Sequence, residues 1–285
     1  MLPFYLLFIF LFMSSFCDSI PVKLEQKKIL FCMVFFALAL FAGLRYNFPD
    51  YKSYSDFFYL LNNKSVISSE GNLAIVANDK GYIYINKFIG LFSDNSILLF
   101  LVMAFLSVGI NLSCYKKYTP YFFTAILFYY VHTYIGRELM QIRAGLACAL
   151  CLYSIRYIVS KKIYHFLFVI LLAATIHLAA ITFLISYFLC NLKIGVKTLR
   201  YLILISLVIG VCMPLGQFLK SLPYMEGLDR IQNYSGWEGF NQTLGVFSNP
   251  TVLKQLIVSA VCLKYYDRLD KKVYAFRILV TIYVF

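Results

Sequence analysis

Three short stretches concentrate the side chains that could do chemistry in this 285-residue chain. The first is Arg45 followed by Asp50, Tyr51 and Tyr54. The second is Arg137, Gln141 and Arg143, followed by the small residues Ala144, Gly145, Ala147 and Ala149. The third is His177, embedded in an otherwise apolar run. Arginine stays charged at any ordinary pH and grips anionic oxygens through two parallel hydrogen bonds. Histidine titrates near neutrality and suits the transfer of a hydroxyl proton. Asp50 is the rival base. Each assignment has a plainer competitor. Arg143 could snorkel to a membrane interface, His177 could be a hydrogen-bonded core residue, and Arg45 with Asp50 could be an interfacial charge pair. Arg230, beside Glu226 and Asp229, reads by default as part of a solvated loop face, although it is also a candidate ligand contact.

What is missing narrows the chemistry. The chain has no Walker-type phosphate loop, no G-x-G-x-x-G, no H-E-x-x-H and no D-x-D, so a metal-independent reaction with no cofactor is expected. The eight cysteines lie in or beside apolar segments, which argues against a disulfide framework. Cys148 and Cys151 form a C-x-x-C with no polar neighbour, and packing is the better explanation for them.

The elements that must position these residues are membrane helices. At 61% hydrophobic and 14% charged, the composition is too apolar for a soluble domain. Apolar segments fall at about 2–17, 29–44, 96–114, 120–135, 139–159, 163–190, 201–219, 251–266 and 273–285. They predict an all-α polytopic bundle of about nine or ten membrane segments in one transmembrane domain, residues 1–285. Residues 2–17 lack the basic start and small-residue site of a cleavable leader, and are expected to stay as a first helix. Two long polar stretches, 45–95 and 220–250, remain as loops. Within the first, Asp79 to Phe92 has the pattern of an amphipathic interfacial segment. Trp237, in the second, suits an interfacial anchor better than a ligand-stacking role.

The net charge of +13 has a topological explanation rather than a nucleic-acid one, because basic residues gather in cytoplasmic loops. With the first helix entering from outside and 163–190 running out and back, sixteen basic residues and four acids fall inside. Ten basic and nine acidic residues then fall outside. The out-and-back path makes 163–190 a re-entrant hairpin with its tip near His177, and a single long tilted helix is the alternative. Arg45, Arg143, His132 and His177 would then share the outer side, leaving His165 near the inner surface.

Taken together, Arg45…Asp50-Tyr51…Tyr54, Gln141-Ile142-Arg143-…-Leu146-Ala147 and Ile176-His177-Leu178-Ala179 resemble the EpsG-like group of Wzy-type polysaccharide polymerases. The likeness runs from about residue 25 to 190. Two departures are the Asn-Phe-Pro before Asp50, where a glycine-containing turn is common, and an end at Phe285 inside an apolar run. The resemblance implies a GT-C-like glycosyltransferase in the bacterial inner membrane. That enzyme joins undecaprenyl-pyrophosphate-linked repeat units into O-antigen, capsule or exopolysaccharide on the outer face. The implied partners are lipid-linked donor and acceptor glycans, membrane lipids and a chain-length regulator protein, with no nucleic acid. Arg143, with Arg45 or Arg137, would clamp the pyrophosphate, and His177 or Asp50 would serve the acceptor hydroxyl. Tyr51, Gln141 and Arg230 would line the substrate site. A flippase, a glycan ligase and a non-catalytic scaffold are the competing readings.

Overall fold

The structure, a computed structural model, describes residues 2–46, 48, 50–62, 79–192, 194–212, 250–271, 273 and 275–284. Arg230 and Trp237 lie outside the described residues, as do 63–78 of the first long polar stretch. All regular structure among the described residues is helical. The chain divides into two compact units, Met1–Tyr187 and Phe188–Phe285.

In the first unit, α1 (Leu2–Ser15) and α2 (Leu24–Gly43) precede two shorter helices, α3 (Tyr51–Asn62) and α4 (Lys80–Gly90). There follow α5 (Ile97–Tyr118), then α6 (Phe122–Tyr129), which runs on as a π-helical stretch, Tyr130–Met140. Next come α7 (Ile142–Val159) and α8 (Ile163–Ile176). Helices α2, α5 and α7 are long and apolar enough to cross a membrane. At 1.5 Å per residue, their 20, 22 and 18 residues span about 30, 33 and 27 Å. Large apolar side chains such as Leu6, Phe36, Leu106 and Phe168 remain exposed on the outside of the unit. That exposure is costly in water and favourable in lipid.

Small residues decide how closely these helices approach. A Cβ on Gly43 would stand 2.8 Å from the backbone Cα of Leu101, so the end of α2 meets the start of α5. At the other end, the Lys116 ammonium lies 5.2 Å from the Phe31 ring centre. The two helices are therefore antiparallel. Val34, Leu38, Ala39 and Ala42 pack there with Ala104, Val108, Leu112 and Tyr134 into the core. The hydroxyl of the buried Tyr134 donates to the Leu38 carbonyl at 2.5 Å. Asp18 accepts from the Thr124 N–H (2.7 Å) and hydroxyl (2.9 Å), so a distant carboxylate serves an otherwise unbonded amide in the first turn of α6.

The segment after α8 turns back. His177 has extended backbone (φ −150°, ψ 110°) and ends α8. A 3-10 turn, Leu178–Phe183, then leads into α9 (Leu184–Asn191). The Phe166 ring near the start of α8 lies 6.3 Å from Phe183 and 5.2 Å from Tyr187. The chain therefore retraces α8 after His177 rather than extending it. The second unit holds α10 (Val196–Cys212), α11 (Pro250–Lys264), α12 (Tyr266–Asp270) and α13 (Phe276–Val284). Its core is Leu199, Leu263, Tyr266, Phe276 and Val280.

Candidate functional site

The end of α2, the starts of α5 and α7, and the end of α8 meet at one end of the first unit. Helices α3 and α4 are packed against them. Both short helices are amphipathic. Tyr54, Ser55, Phe57 and Phe58 are buried from α3, and Tyr82, Asn86 and Ile89 from α4. The Ser55 and Ser96 hydroxyls share a 2.5 Å hydrogen bond that fastens α3 to the start of α5. Gly81 fits against the end of α8, where a Cβ would stand 2.8 Å from the Thr175 Cβ. The Phe57 and Tyr82 rings stack at 5.8 Å, and Tyr54 meets Tyr82 edge-on at 6.1 Å.

Two arginines border these tyrosines. Arg45, two residues beyond α2, is 5% exposed. Its Nη1 donates to the Glu138 carbonyl at 2.7 Å, and its guanidinium carbon lies 4.4 Å from the centre of the Phe100 ring. Arg143, in the first turn of α7, has its guanidinium carbon 5.5 Å from both the Tyr54 and Tyr82 rings. Its Nη1 forms an ion pair of 2.7 Å with Asp79, which is only 1% exposed. The other Asp79 oxygen accepts the Leu178 N–H at 3.1 Å. One carboxylate thus joins the arginine to the backbone just beyond the His177 turn.

Four buried donors at this site have no hydrogen-bond partner: Arg45 Nε, Arg45 Nη2, Arg143 Nε and the Tyr82 hydroxyl. Buried donors are ordinarily satisfied, so a cluster of unbonded ones is a place where an acceptor is owed. Burial pulls the Arg45 guanidinium down to about 10, against the opposing pull of nearby Tyr54, Tyr82 and Glu138. At neutral pH it is still a cation. Burial pushes both the Tyr54 and Tyr82 phenols up, outweighing the neighbouring arginines, so both stay protonated donors. Together these groups can hold an oxyanion and donate several hydrogen bonds to it.

The residues expected from sequence separate into groups. Arg45 and Arg143 border the same tyrosine pair, and Asp50 lies close enough to Tyr54 to act on its phenol. Tyr51 stacks on Phe100 at 4.9 Å, next to Arg45. His177 joins through the backbone, next to the residue that Asp79 holds. Arg137 instead donates to Gln141 at 2.7 Å in an exposed pair. His132 lines a different cavity, with Tyr115, Thr119 and Thr124 at the α5–α6 turn.

Two acidic residues escape a sequence reading. Asp79 looks like the polar start of an amphipathic helix, and nothing local reveals a partner 64 positions away. Glu138 looks like half of a surface pair with Arg137. In fact it is buried, and its Oε1 accepts from Tyr129 (2.7 Å), Ser107 (2.9 Å) and Asn111 (3.3 Å). This network holds the π-helical stretch against α5 and so sets the carbonyl to which Arg45 bonds. Glu138's depth within an apolar helix pair was its only signal.

The sequence model of the EpsG family matches residues 28–285 of this chain. The amylovoran biosynthesis protein AmsC of Erwinia amylovora is 26% identical over 245 residues. That alignment covers 82% of this chain and 63% of AmsC, so the chain spans less than two thirds of that relative's length. No solved structure matches.

Proposed function

The chain belongs to the EpsG family, and from that premise we propose that it is a polysaccharide-biosynthesis glycosyltransferase of the polymerase type. Its donor and acceptor are glycan repeat units carried on undecaprenyl pyrophosphate at the outer face of the bacterial inner membrane. The carrying observation is the convergence of Arg45 and Arg143, from separate segments, on Tyr54 and Tyr82, with buried donors left unbonded. The ends of membrane-length helices are the depth at which a lipid-linked diphosphate lies.

In the reaction, an acceptor sugar hydroxyl attacks C1 of the donor glycan. The new C1–O bond forms as the bond from C1 to the phosphate oxygen breaks, and that electron pair leaves on the diphosphate. His177 or Asp50 takes the hydroxyl proton. Fixed cations where negative charge grows are usually the largest catalytic contribution. Arg45 brings two unbonded guanidinium nitrogens to that task. Arg143 brings one, and its ion pair with Asp79 fixes its direction. Asp79 is a positioning residue in this scheme. It also ties the arginine to the turn that carries His177, so phosphate clamp and candidate base are set in one frame.

Cells carrying Arg45→Ala or Arg143→Ala, at normal membrane abundance, are expected to export single repeat units in place of long polymer. Full-length polymer from either variant would end the clamp assignment. A flippase would behave differently, since its loss should stop export of single units as well.

A further inference from the structure

The opposite end of the first unit has a second feature with a chemistry of its own. Helices α5, α7 and α8 leave an open cavity of about 700 Å³ between them. Ile110, Leu150, Phe168 and Leu172 give it apolar walls, and Tyr153, Tyr157 and His165 give it an aromatic, polar end. From His165 to Leu172 the cavity follows seven residues of helix, about 10 Å. That length suits part of an extended hydrocarbon chain.

Basic residues stand close to the polar end. The Arg156 guanidinium carbon stands 3.5 Å from the centre of the Tyr153 ring, and its buried Nε has no hydrogen-bond partner. The Tyr157 and His165 rings lie tilted against each other at 5.4 Å. The tight α7–α8 turn, where Lys161 has φ 55°, puts the exposed Lys161 and Lys162 in the connection between Tyr157 and His165. Between Ile110 and Leu172 the sole carboxylate is Glu138, which is buried and bonded to Ser107, Asn111 and Tyr129. Among the described residues, no carboxylate forms an ion pair with Arg156, Lys161 or Lys162.

We infer that this cavity is a binding site for an anionic phospholipid, with one acyl chain between α7 and α8 and the phosphate at Arg156, Lys161 and Lys162. A neutral lipid could fill the apolar part but would leave the cations facing a headgroup with no net charge. A guanidinium held over an aromatic ring is restrained in place for phosphate oxygens, and basic pockets between membrane helices favour such headgroups. The site is separate from the Arg45–Arg143 cluster and stands whether or not the chain is a polymerase.

The test uses the full chain, purified and delipidated in a neutral detergent and titrated with phosphatidylglycerol or phosphatidylcholine. Phosphatidylglycerol is expected to raise the melting temperature by several degrees and to stay bound in native mass spectra. Phosphatidylcholine is expected to do neither. The triple variant Arg156→Gln, Lys161→Gln, Lys162→Gln should weaken phosphatidylglycerol binding at least tenfold. Leu172→Trp, which fills the cavity and keeps every charge, should weaken it comparably. Equal stabilisation by the two lipids would overturn the inference, as would undiminished phosphatidylglycerol binding by either variant that elutes as a folded monodisperse species.

Discussion

The two ends of the first helical unit handle positive charge in opposite ways. At one end Arg45 and Arg143 are drawn inside, and each bonds at 2.7 Å to a defined partner, the Glu138 carbonyl or the Asp79 carboxylate. At the other end Lys116, Lys117, Lys161 and Lys162 stand exposed. The first two lie in the last turn of α5, where a cation suits the helix dipole. A buried charge needs a defined partner, because desolvation is expensive. Exposed charge acts as a sum, which is all that orienting a membrane protein requires. The same kind of charge is thus held in two ways, individually partnered inside the unit and collectively displayed on its surface.

That contrast can be tested from its strongest point downward. Asp79→Ala leaves Arg143 without its buried partner and should lower stability by about 3–5 kcal/mol, read as a lower melting temperature in detergent. The double variant Asp79→Ala, Arg143→Ala should recover part of that loss. If the two single losses simply add, the ion pair is not the tie described here. Gly145→Ala comes next. Its Cβ would stand 2.9 Å from the Arg137 carbonyl oxygen, and overpacking against backbone costs about 1–3 kcal/mol. Thermal melts would measure this.

The third test is pH. Arg45 titrates from about 10, lowered by burial, so its cation is intact throughout the neutral range and is lost as pH rises through that value. Anion binding or transfer that depends on Arg45 should therefore be flat on this account from pH 7 to 9. Above about 10 it should fall roughly tenfold per unit, as one pKa unit of differential interaction implies. A pH–rate profile for Arg45→Ala lacking this alkaline limb would confirm the source, and an unchanged limb would exclude it. Smallest of all, Lys116→Gln with Lys117→Gln should move stability by no more than about 0.5 kcal/mol. A larger shift in the melt would show that the exposed end is also specifically matched.

Part of this architecture is legible from residue order alone. Membrane-length helices show in composition, and a cation such as Arg143 beside small residues is conspicuous against an apolar background. Its placement was harder to read. The apolar segment read from sequence, 139–159, puts Arg143 inside one continuous helix. Instead the π-helical stretch ends at Met140, Gln141 breaks the path (φ −108°, ψ 66°), and Arg143 falls in the first turn of a new helix. Spacing rules built on 3.6 residues per turn do not register such a break. Asp79 was illegible for another reason. Its partners, Arg143 and Leu178, are 64 and 99 positions away, and only the packing of α4 against α7 and α8 brings them together. The turn at His177 carries no glycine or proline to announce it, and its suggestion came from the arrangement of basic residues around it.

The stretch Tyr130–Met140 is wound more loosely than its neighbours, and the Gln141 amide reaches back five residues to the Gly136 carbonyl at 3.3 Å. Such winding holds surplus chain in a fixed height and is seldom stable unless neighbours hold it open. Deleting one residue there would let the coil tighten to ordinary pitch. Glu138 would then swing by roughly a quarter of a turn away from Ser107 and Asn111, carrying with it the carbonyl that anchors Arg45. The slack in this one coil acts as a spacer that sets the angular phase of Glu138 against α5.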